Sequence, residues 1–212
     1  MSRLEDVLAD LDVICERLDS LVADLPEHDW CTPTPAVGWD IAHQVAHLAW
    51  TDECAVAAAT DRSAWDRLVR NAIADPEGFV DREAARGARR SGATILARWR
   101  TSRRALGEAL RAYPAEQKMP WYGPPMRPAS MASARFMETW AHSRDVADAL
   151  GVQLPVDDRV AHVCHIGVRA RGFSFATNGQ DPPPGDIRVE LTLPGGGTFT
   201  DGPADAPQSV LG

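Results

Sequence analysis

Glu138-Thr-Trp-Ala-His142, with Asp145 one turn further on, decides how this chain is read. It lies in a run from Ser130 to Leu150 that reads as a helix and stops at Gly151. Residues four apart on a helix share a face, with Cβ atoms about 5–6 Å apart. The Glu138 carboxylate and the His142 imidazole therefore point the same way, which is two-thirds of a metal site with nitrogen and oxygen ligands. A third ligand has to come from another helix. The candidate is His47, in Gly38-Trp-Asp-Ile-Ala-His-Gln-Val-Ala-His47-Leu-Ala-Trp50.

Plainer readings stand beside this one. Glu138 and His142 could be an ordinary helical pair worth about 0.2–0.5 kcal/mol, and His43 and His47 two imidazoles on a helix surface. The neighbours weigh against them. Both histidines close apolar stretches, Gln44-Val-Ala-His47 and Phe136-Met-Glu-Thr-Trp-Ala-His142. A carboxylate between Met137 and Trp140, if buried, needs a partner, because an unpaired buried charge is very costly. A divalent cation would satisfy it.

Working outward, Ser2-x-x-Glu5 reads as a capping box. It opens an amphipathic helix with Leu4, Val7, Leu8, Leu11, Ile14, Leu18, Leu21 and Val22 at three-four spacing, ended by Pro26. Pro33, Pro35 and Gly38 mark a loop. The second helix, about Trp39 to Ala59, carries one stripe of Ile41, Val45 and Leu48 and another of Trp39, Ala46 and Trp50. A helix apolar on two sides is central in a bundle, so the histidines beside the second stripe need not face water. A short helix from Ser63 to Ala74 follows, then a long helical stretch from Asp81 to Pro114 with Gly87 and Gly92 as weak points. Lys118 to Arg127 is too rich in Pro and Gly for regular structure, and its Trp121 and Tyr122 either line a pocket mouth or lid the core. Trp39, Trp50, Phe136 and Trp140 have the same two readings.

Beyond Gly151 the character changes. Val156 to Arg171 reads as one more helix, and Ile187 to Leu193 alternates as a half-buried strand. Gly195-Gly-Gly197 is a hairpin signal and Thr198-Phe-Thr200 begins its partner. No further periodic run follows, so this unit reads as unfinished. The expected organisation is a helix bundle over residues 1–151 and a small α/β unit over 152–212.

The 212 residues carry a formal net charge of -8 with no basic run, which argues against nucleic acid and anionic membrane as partners. No stretch is long and apolar enough to span a bilayer, and the charged amphipathic start is not a signal peptide. A cytoplasmic protein is expected. Cys15, Cys31, Cys54 and Cys164 form no C-x-x-C pair, so they read as reduced, small buried hydrophobes. Cys54, two turns beyond His47, is the one to watch as a reactive thiol.

Gly38-Trp-Asp with His47-Leu48 on the same helix, and Glu138-Thr-Trp-Ala-His142-Ser-Arg-Asp145-Val-Ala-Asp-Ala-Leu-Gly151, resemble the DinB-like four-helix-bundle superfamily. Within it they look like the mycothiol-dependent maleylpyruvate isomerase type. The resemblance covers most of residues 1–151. It implies a mainly α fold, an up-down four-helix bundle with a small α/β unit after it, and a divalent metal, zinc by preference and nickel as an alternative, on His47, Glu138 and His142. It implies a low-molecular-weight thiol such as mycothiol, held deprotonated at the metal and ready to attack a small electrophile. The catalytic group would then be that thiol or a bound water. Asp145 reads equally as an acceptor for the second N–H of His142 and as a helix-surface charge, with His43 as a further residue near the site and Trp50, Trp121 and Tyr122 as its walls. Bundles of this type often pair as homodimers, although no exposed stripe here is long enough to require it. The isomerase uses an arginine from its C-terminal unit, and Arg169, Arg171 and Arg188 sit in no motif that matches it. That departure keeps open a rival reading, a metal-binding bundle without turnover that serves as a sensor, a sequestering protein or a degenerate enzyme.

Overall fold

The computed structural model describes residues 3–212, so Ser2 of the expected capping box lies outside the described residues. Two compact units are present, residues 1–154 and 155–212. The first is built on four long helices: α1 (Arg3–Val22), α2 (Ile41–Thr60), α5 (Gly92–Ala112) and α6 (Pro128–Ala149). Two shorter ones, α3 (Arg62–Ala74) and α4 (Phe79–Ala88), lie in the connection between α2 and α5.

α2 is the central helix. Thirteen of its twenty residues are buried, and it touches α3, α4, α5 and α6. Its two apolar stripes are the reason: Ile41, Val45 and Leu48 reach the core on one side, and Ala46, Trp50 and Cys54 pack on the other. Asp40 caps it, accepting from the His43 N–H at 2.9 Å, so the helix begins after Trp39 and leaves that indole free to fold back over the first turn. Leu8, Leu11, Ile14, Leu18 and Val22 of α1, Trp99, Leu106 and Leu110 of α5, and Met131, Phe136 and Val146 of α6 complete the core.

Ion pairs give the helix directions. Glu5 pairs with Arg111, Glu16 with Arg103 and Asp19 with Arg100, so α1 and α5 run antiparallel. α2 and α6 are likewise antiparallel, with Asp52 against Arg135, His47 against Glu138 and Gln44 against Asp145. The Asp52–Arg135 pair is almost wholly buried, at 2.9 Å, and Arg135 also donates to Thr51 Oγ1 at 2.6 Å. Burial holds the Asp52 carboxyl above its ordinary range in spite of that guanidinium. The pair therefore adds register between α2 and α6 more than net stability.

The expected long helix from Asp81 is two helices. Ser91 caps α5 through the Thr94 N–H, and both glycines are there for close approach. A Cβ on Gly87 would lie 2.7 Å from the Ala46 side chain, and one on Gly92 would lie 2.2 Å from Trp30 Nε1.

In the second unit a helical stretch opens as a 3-10 turn at Asp158–Val160 and continues as α7 (Ala161–Thr177), six residues past the expected end. Strands β1 (Ile187–Thr192) and β2 (Thr198–Asp201) form the expected hairpin, with Leu191 opposite Phe199. A third strand, β3 (Gln208–Leu211), was not anticipated. It pairs parallel to β1 on its other edge, Val189 opposite Val210, giving the order β2-β1-β3. Four residues after a Pro-rich turn show too little alternation to be read as a strand, and only the non-local pairing defines it. Among the described residues no helix is long and apolar enough to cross a membrane.

Alanine ordinarily favours a helix over glycine by about 1 kcal/mol, but Trp30, only 4% exposed, blocks that space at position 92. Gly92→Ala should lower stability by about 1–3 kcal/mol in urea unfolding. A variant as stable as the parent would contradict this packing.

Candidate metal centre

The central motif meets the second helix as the spacing requires. α6 carries Glu138 and His142 on the face turned to α2, and α2 presents His47 to the same Glu138 oxygen that faces His142. Glu138 Oε2 lies 3.2 Å from His47 Nε2 and 3.4 Å from His142 Nε2, and the three donor atoms all fall within 4.8 Å of one another. A tetrahedral zinc with bonds of about 2.1 Å needs donors about 3.4 Å apart, so the spacing suits one small cation.

The electrostatics match that donor set. Burial lowers the His47 imidazole below its ordinary range, opposed by the hydrogen bond that Glu138 accepts from it. The ring is thus kept neutral, which is the ligating form. For Glu138, burial pushes the carboxyl up, but the contacts to His142 and His47 outweigh it and hold the group far below the usual carboxylate range. Two imidazoles and an ionised carboxylate share one small volume.

Aromatic rings wall the triad. Trp39 stacks on His142, with centroids 5.9 Å apart and planes at 11°, and lies 5.2 Å from the His47 ring. Its indole N–H donates to Asp81 of α4 at 2.9 Å, which holds the ring in place. Trp50 stands 6.0 Å from His47 on the other side.

Several expected neighbours take different places. Asp145 does not accept from His142. The His142 Nδ1 contact is the side-chain oxygen of Gln44, and Asp145 Oδ2 accepts from Gln44 Nε2 at 3.1 Å. One turn along α6 carries Asp145 past the ring edge to the α2 amide. His43 is drawn away from the triad by Asp40, whose Oδ1 lies 2.6 Å from His43 Nδ1. Trp121 and Tyr122 pack with Trp65 and Phe79 in an aromatic cluster around Trp50 and Cys54, so they cover core instead of lining the triad. Trp140 lies under the Arg144 guanidinium and Phe136 is buried. Cys54 is buried, and burial pushes its thiol up to about 12, away from the thiolate that a reactive cysteine presents.

Gln44 is the residue that sequence reasoning missed. Its signal was a polar amide inside Ile41-Ala-His-Gln-Val-Ala, one turn before His47, where burial demands partners. It is completely buried.

Comparison with known proteins follows the same lines. The chain matches the family model described as the mycothiol maleylpyruvate isomerase N-terminal domain over residues 11–147. Two uncharacterized proteins of Mycobacterium tuberculosis, from strains CDC 1551 / Oshkosh and H37Rv, are each 49% identical to it over 205 residues, 97% of this chain and 80% of theirs. The crystal structure of the mycothiol-dependent maleylpyruvate isomerase superposes with a TM-score of 0.65 at 14% identity, covering 98% of this chain and 83% of that one. That of its histidine-to-alanine variant gives 0.64. At such identity the superposition shows a shared fold, helical with a small C-terminal sheet. The family match spans well over half of the residues, and the chain belongs to the mycothiol maleylpyruvate isomerase N-terminal domain family.

Proposed function

We propose that this chain binds one divalent cation on His47, Glu138 and His142 and works with a low-molecular-weight thiol, mycothiol, on a small electrophile, by isomerisation or by transfer. The observation that carries this reading is the convergence of three donor atoms from two antiparallel helices. Family membership supports the choice of thiol. Two nitrogens and one oxygen suit zinc, with nickel as the alternative, and a reduced cytoplasmic setting suits a free thiol cofactor.

When bound, such a cation supplies Lewis acidity and lowers the proton affinity of a thiol that reaches it. The remaining work belongs to the chain. His47, Glu138 and His142 hold one side of the site, and three protein ligands leave a position open for a small molecule. Trp39 lies flat against His142 and, with Trp50 on the far side of His47, keeps the imidazoles from swinging away from Glu138. Arg135, one turn before Glu138, locks α6 to α2 through Asp52 and Thr51, so the ligands from the two helices stay in register.

Two measurements test the reading. A cation at about 100 times its dissociation constant adds about 2.7 kcal/mol of stability, which for a protein of this size is a rise in melting temperature of about 5–10 °C. Zinc should produce that rise in the parent protein and none in His142→Ala, and equal shifts in both would contradict the ligand set. For turnover, the protein with mycothiol should consume chlorodinitrobenzene faster than thiol alone. The excess should vanish with a chelator and in Glu138→Ala. Excess consumption that survives chelation would contradict a metal-dependent thiol enzyme, and no excess at all would leave a binding protein.

A further inference from the structure

We propose that Gln44 is a positioning residue for the metal centre: its amide holds His142 with a proton on Nδ1, so that Nε2, the nitrogen that faces Glu138 and His47, is the one left to ligate, and Asp145 in turn fixes the amide. The proposal rests on the reading of His47, Glu138 and His142 as metal ligands.

The donors and acceptors around Gln44 fix the orientation of its amide. The Gln44 side chain offers two N–H donors and one oxygen. Nε2 donates to Thr34 Oγ1 at 2.8 Å and to Asp145 Oδ2 at 3.1 Å. The Thr34 hydroxyl spends its own proton on the Trp39 carbonyl at 2.9 Å, so toward Gln44 it can only accept. Turning the amide over would set its oxygen against the Asp145 carboxylate and a Thr34 oxygen with no proton left to give. With Gln44 completely buried, no solvent relieves that clash of acceptors. The oxygen therefore faces His142 Nδ1, and an acceptor there requires that nitrogen to be the donor. A proton on Nδ1 leaves Nε2, the atom 3.4 Å from Glu138 Oε2, as the ligating nitrogen.

The two imidazoles are thus held by different means. Among the described residues His47 Nδ1 is buried without a hydrogen-bond partner, and that ring is placed by the indoles of Trp39 and Trp50. His142 is placed by a chain of hydrogen bonds running from Asp145 on its own helix, through Gln44 on α2, to the loop residue Thr34. A metal-bound histidine ordinarily gives its second N–H to such an acceptor, and losing the acceptor costs 10–100-fold in metal affinity.

The test uses full-length protein, metal-free and zinc-loaded, with Gln44→Met, which keeps the volume and removes the acceptor. Asp145→Asn is the second variant, which keeps Gln44 but frees its amide to turn. Nitrogen-15 NMR should show His142 Nδ1 carrying a slowly exchanging proton in the parent protein, with or without zinc. In Gln44→Met that protection should be lost and zinc should bind 10–100-fold more weakly by chelator competition. Asp145→Asn should move both readouts the same way by less. A bare Nδ1 in the parent, or parental zinc affinity in a folded Gln44→Met, would overturn the proposal. A variant that only melts earlier, with the Nδ1 proton still protected, would also overturn it, since a merely structural contact predicts that result. If the parent shows the protected proton yet takes up no zinc, the metal reading itself fails and the positioning role falls with it.

Discussion

One carboxylate oxygen, Glu138 Oε2, faces two imidazoles from two helices, and the arrangement of α2 against α6 follows from it. The 3.4 Å contact to His142 lies within α6, whereas the 3.2 Å contact to His47 crosses to α2 and holds the two helices at one register, one turn from the buried Asp52–Arg135 pair. Neither feature is a cheap way to stabilise a bundle. Leucines in the same places would pack as well without desolvating charge. What these groups contribute is position: they fix two antiparallel helices so that three donors meet at a spacing that suits one cation.

The surroundings serve the same constraint. Asp40 starts α2 after Trp39, which frees Trp39 to lie beside His142, and Asp81 of α4 holds the indole there. α4 packs tightly on α2 because Gly87 lets it approach Ala46. The aromatic cluster of Trp65, Phe79, Trp121 and Tyr122 closes the bundle around Trp50, whose other face looks toward His47. The helices between α2 and α5 therefore back the rings that wall the candidate site as well as forming a connection.

How much of this was legible in the sequence depended on whether the signal was local. The i,i+4 spacing of Glu138 and His142 put both on one face, and the two apolar stripes of α2 showed that it is central, so His47 was a candidate; the family resemblance implied it as the third ligand. The three-four spacing of α1 was equally plain. What escaped was set by partners distant in sequence. Asp145 stands at the right spacing to serve His142, but the Gln44 amide from α2 occupies that place. His43 looks like a second imidazole for the site until Asp40, its own helix cap, claims its ring. Gly87 and Gly92 read as helix weak points, whereas Ala46 and Trp30 across the bundle require them. β3 exists only through its pairing with β1, since Gln208 to Leu211 carry too few residues for alternation to show.

The claim that joins these observations is that His47, Glu138 and His142 hold one divalent cation. Elemental mass spectrometry on untagged protein, beside the His47→Ala variant, tests it most directly. About one zinc or nickel per chain in the parent and a marked loss in the variant is the expected result. No metal in the parent even after reconstitution, or the same content in both proteins, would contradict it.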